Sequence, residues 1–208
     1  MSLAPILPST EAALPADSAV VLSADFDDEM RGIGELADGS LVAVLIERLA
    51  ELGHRRFLHV AGAQSFASAR GRKHVYLETI ERLGLKSMGM IDGDWTGESG
   101  LNAILELDAR RRPTAVIASN DLVASGVIRG AMEGGWSVPG DLSVTGWDDN
   151  PVGAFLSPAL TTVDIDLERL GRNVMSRLIA AVRGTSAEIA PEPLSLVIWR
   201  ESMGPVPA

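Results

Sequence analysis

The sequence contains no cysteine, and only three of its 208 residues are histidine. The lack of cysteine excludes disulfide frameworks, thiol catalysis and zinc sites built from thiolates. His54, His59 and His74 do not have the spacing of metal ligands, so neither a metal nor another cofactor is expected. We interpret His54 as a cation at a helix end, and His59, which lies in an apolar stretch, as a hydrogen-bonded core residue.

Basic residues and long apolar runs are also scarce. Eighteen Lys and Arg stand against 28 Asp and Glu, giving a net charge of −10, and such a surface repels a phosphate backbone. No apolar run approaches the roughly 18 residues needed to span a bilayer, and Met1–Leu3 lacks the features of a signal peptide. We therefore expect a cytoplasmic protein with no membrane partner, whose own residues do not bind nucleic acid.

Helical and strand patterns alternate from Ser40 onwards, and each helical pattern closes at a glycine or proline. This alternation predicts an α/β fold with a parallel sheet. The third helix is expected to extend to Arg110–Arg112, because cations suit a helix C-terminus. Helices are predicted to begin near Ser40, Ser68, Thr96, Leu122 and Leu167. Strands are predicted at 57–61, 87–91, 115–118, 142–147 and 194–199.

Polar residues cluster where the predicted strands end. Ligands of open α/β sheets bind outside the carboxyl ends of the strands, so these positions are the candidates for a site. Arginine and aspartate bind adjacent hydroxyls through paired hydrogen bonds, and an indole packs on the apolar face of a sugar ring. The set therefore predicts a small hydroxylated ligand. Its members are Ser65, Ser68, Arg70, Arg72, Asp94, Trp95, Asn120, Asp121, Asp148, Asp149 and Asn150.

Each of these residues also has a purely structural interpretation. Ser68, Asn120 and Asp121 are all suited to cap a helix N-terminus. Trp95 is large enough to serve only as a cover for the core. The Asp148–Asp149 pair is typical of a turn before a proline.

Seven short motifs occur in an order that resembles the effector-binding region of the lac and galactose repressor family. The match covers roughly residues 37 to 203. The motifs are Leu52–Arg56, Ser68–Arg72, Gly93–Trp95 with Glu98–Gly100, Ala118–Asp121, Val138–Val144, Gly146–Asp149 and Pro158–Val163. The GDW motif at 93–95 is similar to the lac repressor branch in particular.

The resemblance implies a periplasmic-binding-protein-like α/β fold with two Rossmann-like lobes, a sugar or nucleoside effector between them, and a homodimer. It implies that Arg72, Asn120 and Asp148 hold effector hydroxyls, with Ser68 nearby and Trp95 stacking on the ligand. We expect the dimer contact on the exposed apolar faces of the helices at 41–52 and 69–83.

Three further positions match places where family members contact their ligand. Asp25 stands in the first predicted strand region, where an aspartate of the family often contacts the effector. Ile165 and Leu167 replace polar and aromatic groups of the lac branch. All three are therefore further candidates for effector contacts, and the last two argue against a lac-type sugar.

The resemblance also divides the chain. Residues 1–36, irregular apart from a short strand at 19–22, are expected to be a remnant of the first lobe, and 37–163 the second effector-binding lobe. Residues 164–193 are expected to return to the first lobe, and 194–208 to form the last strand of the second lobe and a tail. The family's DNA-binding headpiece has no counterpart here, so operator DNA is expected to be bound only through a headpiece absent from this chain.

These observations favour the effector-sensing region of a transcriptional regulator, a repressor of carbohydrate metabolism genes, over two alternatives. A periplasmic sugar-binding protein of a transporter shares the two-lobed fold. An enzyme is the third possibility, because Gly32–Ala37 fits a loose dinucleotide-binding pattern and Asp148 with Asp149 resembles an acid–base pair. Carboxylates precede that glycine pattern where a hydrophobic strand is required, so we do not expect catalysis.

Overall fold

The computed structural model describes residues 35–108, 112–187, 189 and 192–207. The described chain begins with a 3-10 turn, Glu35–Ala37, and another turn of this kind spans Pro151–Phe155. The helices are α1 (Leu41–Glu51), α2 (Ala67–Arg82), α3 (Gly97–Leu105), α4 (Asp121–Glu133) and α5 (Leu167–Arg183). The strands are β1 (Arg56–Ala61), β2 (Lys86–Asp92), β3 (Ala115–Ala118), β4 (Ser143–Thr145), β5 (Thr162–Ile165) and β6 (Ser195–Ile198).

The first four strands form one parallel sheet in the order β2-β1-β3-β4. Phe57 of β1 lies opposite Ala115 of β3, which in turn lies opposite Ser143 of β4. Each strand is followed by a helix or a 3-10 turn, as the alternation in the sequence predicts. The predicted α/β fold with a parallel sheet is therefore confirmed.

The sheet separates two hydrophobic clusters, because successive side chains of a strand point to opposite faces. On one face, Leu58 and Val60 pack in a cluster with residues of α3 and α4, including Ile104 and Val127. On the other face, Phe57 packs in a cluster with residues of α1 and α2. Helices thus cover both faces of the sheet, and its carboxyl edge is left for a site.

The strands β5 and β6 form an antiparallel pair in which Val163 lies opposite Val197. The sequence predicts β6 but not β5. Beyond β6 the chain returns to the parallel sheet, where the amide of Val144 donates to Ser202 O (2.9 Å) and the Ser202 hydroxyl donates to Val144 O (2.6 Å). Residues after Ile198 therefore run beside β4, while β6 itself pairs with β5.

One predicted helix boundary is wrong, and the helix predicted to begin near Ser68 begins one residue earlier, at Ala67. Helix α3 ends at Leu105 and does not reach the arginine run. Arg112 instead places its guanidinium carbon 4.2 Å from the centre of the Trp136 ring. Ser68 lies inside α2, whose N-cap position is held by Phe66.

Of the two buried histidines, His59 was interpreted correctly from the sequence and His54 was not. His54 is fully buried and donates from Nε2 to Gly204 O (3.0 Å). Burial lowers its pKa, so it is a neutral core residue, and its interpretation as a helix-end cation is wrong. His59 is a core residue as predicted: its Nδ1 donates to Ile117 O (2.9 Å), and burial lowers its pKa to about 4.

Candidate functional site

A cleft of about 430 Å³ opens at the carboxyl edge of the parallel sheet. Its lining residues come from the 3-10 turn Glu35–Ala37, from segments that follow β1, β2, β3 and β4, and from the junction of β5 with α5. They are Leu36, Phe66, Ser68, Arg72, Trp95, Asn120, Asp148, Ile165 and Leu167.

The cleft brings together the five residues that the sequence analysis proposes as the effector site, Ser68, Arg72, Trp95, Asn120 and Asp148. It also contains the further candidates Ile165 and Leu167, whereas Asp25 lies outside the described residues. Sequence reasoning did not select Leu36 and Phe66, because it searched for polar groups at strand ends. The position of Phe66, just after β1, was the signal available for finding it.

Arg72 is held rigidly at the base of the cleft. It projects from α2, is only 5% exposed, and donates from Nη1 to Ser119 O (2.6 Å) just after β3. Its guanidinium carbon lies 4.3 Å from the ring centre of Trp147 and 5.6 Å from that of Trp95. Two indole rings near one cation fix its orientation, since the ring faces attract positive charge.

Trp95 forms one wall of the cleft. Its backbone has a φ of 70°, and its ring packs so closely on Gly62 that a Cβ at position 62 would overlap the indole. The Phe66 ring meets the indole edge-on with ring centres 5.6 Å apart. Trp95 remains partly exposed, so the indole is both immobilised and accessible to a ligand.

Asn120 combines its two predicted roles, because it caps a helix and also lines the cleft. Its Oδ1 accepts from the amide of Val123 (2.8 Å), which caps α4. Its Nδ2 donates weakly to Trp95 O (3.4 Å). Ser68 lines the cleft from inside α2 and is 2% exposed, so its alternative interpretation as an N-cap is wrong.

Asp148 and Asp149 occupy different environments. Both have positive φ values, 96° and 44°, which turn the chain sharply after β4. Asp148 is exposed and lines the cleft. Asp149 instead accepts from Nη2 of Arg200 (2.6 Å). The two carboxylates therefore do not form an acid–base pair across one cleft.

Asp121 is the residue beneath the site whose role the sequence analysis did not identify. Its carboxylate is 5% exposed and accepts from the Thr162 hydroxyl and from the Asn150 amide, both at 2.6 Å. Its own amide donates to Trp147 O (2.9 Å). Burial raises the pKa of Asp121 to about 6, against the lowering effect of those hydrogen bonds, and the nearby charge of Asp148 raises it further. Asp121 thus anchors the loop that carries Asp148.

Other types of site receive no support from the described residues. Within them, no group of three or more histidine, aspartate and glutamate side chains has the arrangement of a metal site. The glycines of the 32–37 pattern lie outside the described residues, and Glu35–Ala37 form the 3-10 turn. No helix in the described part of the chain is long and apolar enough to cross a bilayer.

Comparison with known proteins places the chain in a family. The model of the periplasmic binding protein-like domain matches residues 46–203. The chain belongs to this family. The predicted relationship to lac-type repressors is also confirmed: the lactose operon repressor of Klebsiella pneumoniae is 34% identical over 164 residues, which are 78% of this chain and 46% of that protein. The transcriptional repressor PurR of Proteus mirabilis is 36% identical over 134 residues, 63% of this chain and 39% of that protein.

Solved structures agree with this assignment to the periplasmic binding protein-like family. The lac repressor dimer bound to operator and the anti-inducer ONPF has a TM-score of 0.73 at 29% identity, over 78% of this chain and 57% of that chain. The lac repressor bound to ONPG in the repressed state has a TM-score of 0.77 at 28% identity, over 93% of this chain and 59% of that chain. The chain spans about half the length of the curated relatives it matches.

Proposed function

We propose that this chain is the effector-sensing region of a DNA-binding transcriptional regulator, a repressor of carbohydrate metabolism genes. The observation that carries the proposal is the convergence of Arg72, Trp95, Asn120 and Asp148 on one cleft. These residues come from four different segments, each following a different strand. The relatives named above are transcriptional repressors, which favours a regulator over a transporter component.

The cleft chemistry suits a small hydroxylated effector. The guanidinium of Arg72 donates to ligand oxygens, and the carboxylate of Asp148 accepts from ligand hydroxyls. The amide of Asn120 offers both a donor and an acceptor. The indole of Trp95 provides a flat apolar surface for the carbon–hydrogen face of a sugar or for a base.

The effector binds between two lobes and thereby changes how they are arranged. We assign 37–163 and 194–208 to the second lobe and its tail, and 1–36 and 164–193 to the first. An effector held between the lobes favours one closure angle, and it changes operator affinity only if the two lobe arrangements bind it differently. In this proposal the whole protein binds operator DNA as a cytoplasmic homodimer.

The same cleft argues for binding without catalysis. A hydrolase would pair two carboxylates, but Asp148 and Asp149 do not act together. Asp149 Oδ1 accepts a hydrogen bond from Nη2 of Arg200 (2.6 Å). The nearest buried carboxylate, Asp121, already accepts two hydrogen bonds from protein groups. Acid–base chemistry on a sugar uses two carboxylates, and Asp148 is the one carboxylate among the described residues that line the cleft.

A thermal-shift screen tests this function. The chain is melted with saturating sugars and nucleosides, and glycerol at equal concentration controls for nonspecific stabilisation. A ligand at a hundred times its Kd stabilises the fold by about 2.7 kcal/mol, which raises the Tm by several degrees. Stabilisation no greater than that by glycerol, for every compound, contradicts the proposal.

A further inference from the structure

Arg72 lies against an aromatic side chain that is not itself part of the cleft wall. Trp147 is 2% exposed, packs in the hydrophobic cluster with residues of α1 and α2, and does not line the cleft. Its ring centre is 4.3 Å from the guanidinium carbon of Arg72, whereas the ring centre of Trp95 is 5.6 Å away. The aromatic ring closer to the cation is therefore the one that lies behind the cleft surface.

The backbone around Trp147 is fixed by two neighbouring elements. Its carbonyl accepts from the amide of Asp121 at the start of α4 (2.9 Å). The amide of the next residue, Asp148, donates to Val163 O of β5 (2.8 Å). The indole is thus attached to a backbone segment that is bonded on both sides, and a guanidinium stacked on it is held in one orientation.

Hydrogen bonding does not account for a tryptophan at position 147. Its indole nitrogen is buried and has no hydrogen-bond partner among the described residues. A buried N–H group without an acceptor costs free energy, which a phenyl ring in the same place would not. What the indole does supply is its ring face, which attracts a cation more strongly than that of any other aromatic side chain.

Arg72 needs such a partner because it is only 5% exposed. A guanidinium buried to this extent has lost most of its contact with water, which is unfavourable unless protein groups replace the water. Ser119 O accepts one hydrogen bond from Nη1 (2.6 Å), and the ring face of Trp147 adds electrostatic attraction. The guanidinium is planar and stacks on such a face, whereas the ammonium group of lysine has no plane to align.

We propose that Trp147 is a positioning residue of the effector site, which acts through Arg72 and does not contact the effector. This inference rests on the proposed function. The indole fixes the plane of the guanidinium before a ligand arrives, so that Arg72 meets the effector oxygens without reorganisation. Preorganised groups bind more tightly than groups that the ligand must first order. Loss of the ring should therefore weaken effector binding from behind the cleft.

Calorimetric titration of the full 208-residue chain tests the inference with two variants of similar side-chain size. Galactose, glucose, ribose, adenosine and uridine are titrated first, and the compound that binds the wild type most tightly becomes the probe. Trp147→Leu removes the ring face and should weaken binding about tenfold, a difference of about 1.4 kcal/mol. Trp147→Phe leaves a similar space but keeps a ring face, so its affinity should stay within about threefold of the wild type. Trp147→Met is a second variant without a ring and should behave as Trp147→Leu does.

Two further variants separate positioning from a general loss of core packing. Phe57→Leu removes a ring from the same hydrophobic cluster, but near the amino end of β1 and so away from the cleft. It should lower the Tm and leave the affinity unchanged. Arg72→Met removes the cation, and in that background Trp147→Leu should weaken binding by no more than about twofold, because the ring acts only through the guanidinium.

The possible failures are distinguishable. A folded Trp147→Leu or Trp147→Met variant that binds as the wild type does overturns this inference and leaves the proposed function standing. Equal losses of affinity in Trp147→Leu and Trp147→Phe also overturn it, because core packing then explains both. If neither variant without a ring folds, Arg72→Lys decides: it keeps the charge without the plane, and wild-type affinity overturns the inference. If none of the five compounds binds the wild type, the proposed function fails, and this inference fails with it.

Discussion

The hydroxyl of Thr162 donates to Oδ1 of Asp121 over 2.6 Å, and this bond ties the first residue of α4 to the first residue of β5. The other carboxylate oxygen of Asp121 accepts from the Asn150 amide. Asn120, immediately before it, caps α4 and lines the cleft. The positions of Asn120 and of the loop that carries Asp148 are therefore coupled through one buried carboxylate.

The buried carboxylate of Asp121 should make stability depend on pH. Its folded pKa of about 6 lies above the ordinary value of 3.8, so the folded state holds the proton more tightly than the unfolded state. The free energy of unfolding therefore falls as pH rises from about 4 through 6. Between pH 5 and 7 the wild type should lose about 1 kcal/mol more than Asp121→Asn, as measured by urea denaturation.

Asp141→Asn is the matched control for this pH dependence. Asp141 also accepts from one amide and one hydroxyl, both of Ser137 (2.8 and 2.7 Å), but these bonds lower its pKa. Its contribution is present above the ordinary pKa and lost only at lower pH, so the slope between pH 5 and 7 should match the wild type. Equal slopes for wild type and Asp121→Asn would show that Asp121 is not the group responsible.

The crossing of α3 and α4 should tolerate only glycine at two positions. A Cβ at Gly100 would overlap the carbonyl of Val123, and a Cβ at Gly126 would overlap the carbonyl of Gly97. Because backbone cannot yield as a flexible side chain does, Gly100→Ala and Gly126→Ala should each destabilise the fold by about 3 kcal/mol or more. Chemical denaturation measures the change.

Gly171→Ala is the control for these variants, because this change should increase the free energy of unfolding in the same experiment. Apart from Gly171, its two chain neighbours and the nearby backbone of α5, no atom of the described residues lies within 4 Å of a Cβ placed at Gly171. Alanine there should stabilise the chain by roughly 0.5 to 1 kcal/mol, because glycine disfavours a helix interior. A Gly126→Ala variant as stable as the wild type would refute the close crossing.

Self-association should depend on α1 and α2. Val44 and Leu77, 38% and 42% exposed, lie on these adjacent helices. Symmetric contact between two copies would bury them, so Leu77→Glu should shift the chain towards monomer in sedimentation equilibrium. Met132→Glu, a change at a residue that is 61% exposed on α4 across the sheet, should leave association unchanged. A wild type that stays monomeric at high concentration contradicts this prediction.

Local patterns predicted most of the fold. The strand β3 is a continuous apolar run, and β1 is apolar apart from Arg56 and His59. Helices α1 and α4 have regular apolar spacing. The type of each of these elements therefore follows from a short stretch of sequence. The strand β5 was missed because its pairing partner β6 lies about thirty residues further along the chain. Helix α3 was predicted too long because arginines that suit a helix end are equally suited to stack on an aromatic ring, as Arg112 does on Trp136.

The sequence predicted those site residues whose positions follow from the topology of the parallel sheet alone. Polar residues after parallel strands meet at one edge, which is why Arg72, Asn120 and Asp148 were found together. The role of Asp121 depends on a loop that folds back onto it through Asn150, and no local pattern encodes that contact. Phe66 was missed because its contribution is apolar.

The most direct test of effector binding in this cleft is calorimetric titration of Asp148→Ala with the tightest-binding sugar or nucleoside. Asp148 is exposed, so the variant should melt within a few degrees of the wild type. Loss of a charged hydrogen bond, worth roughly 1.5 to 3 kcal/mol, should weaken binding about tenfold or more. Asp141→Ala, at the opposite edge of the sheet before β4, should bind as the wild type does. An Asp148→Ala variant with unchanged affinity would contradict the assignment of this cleft as the effector site.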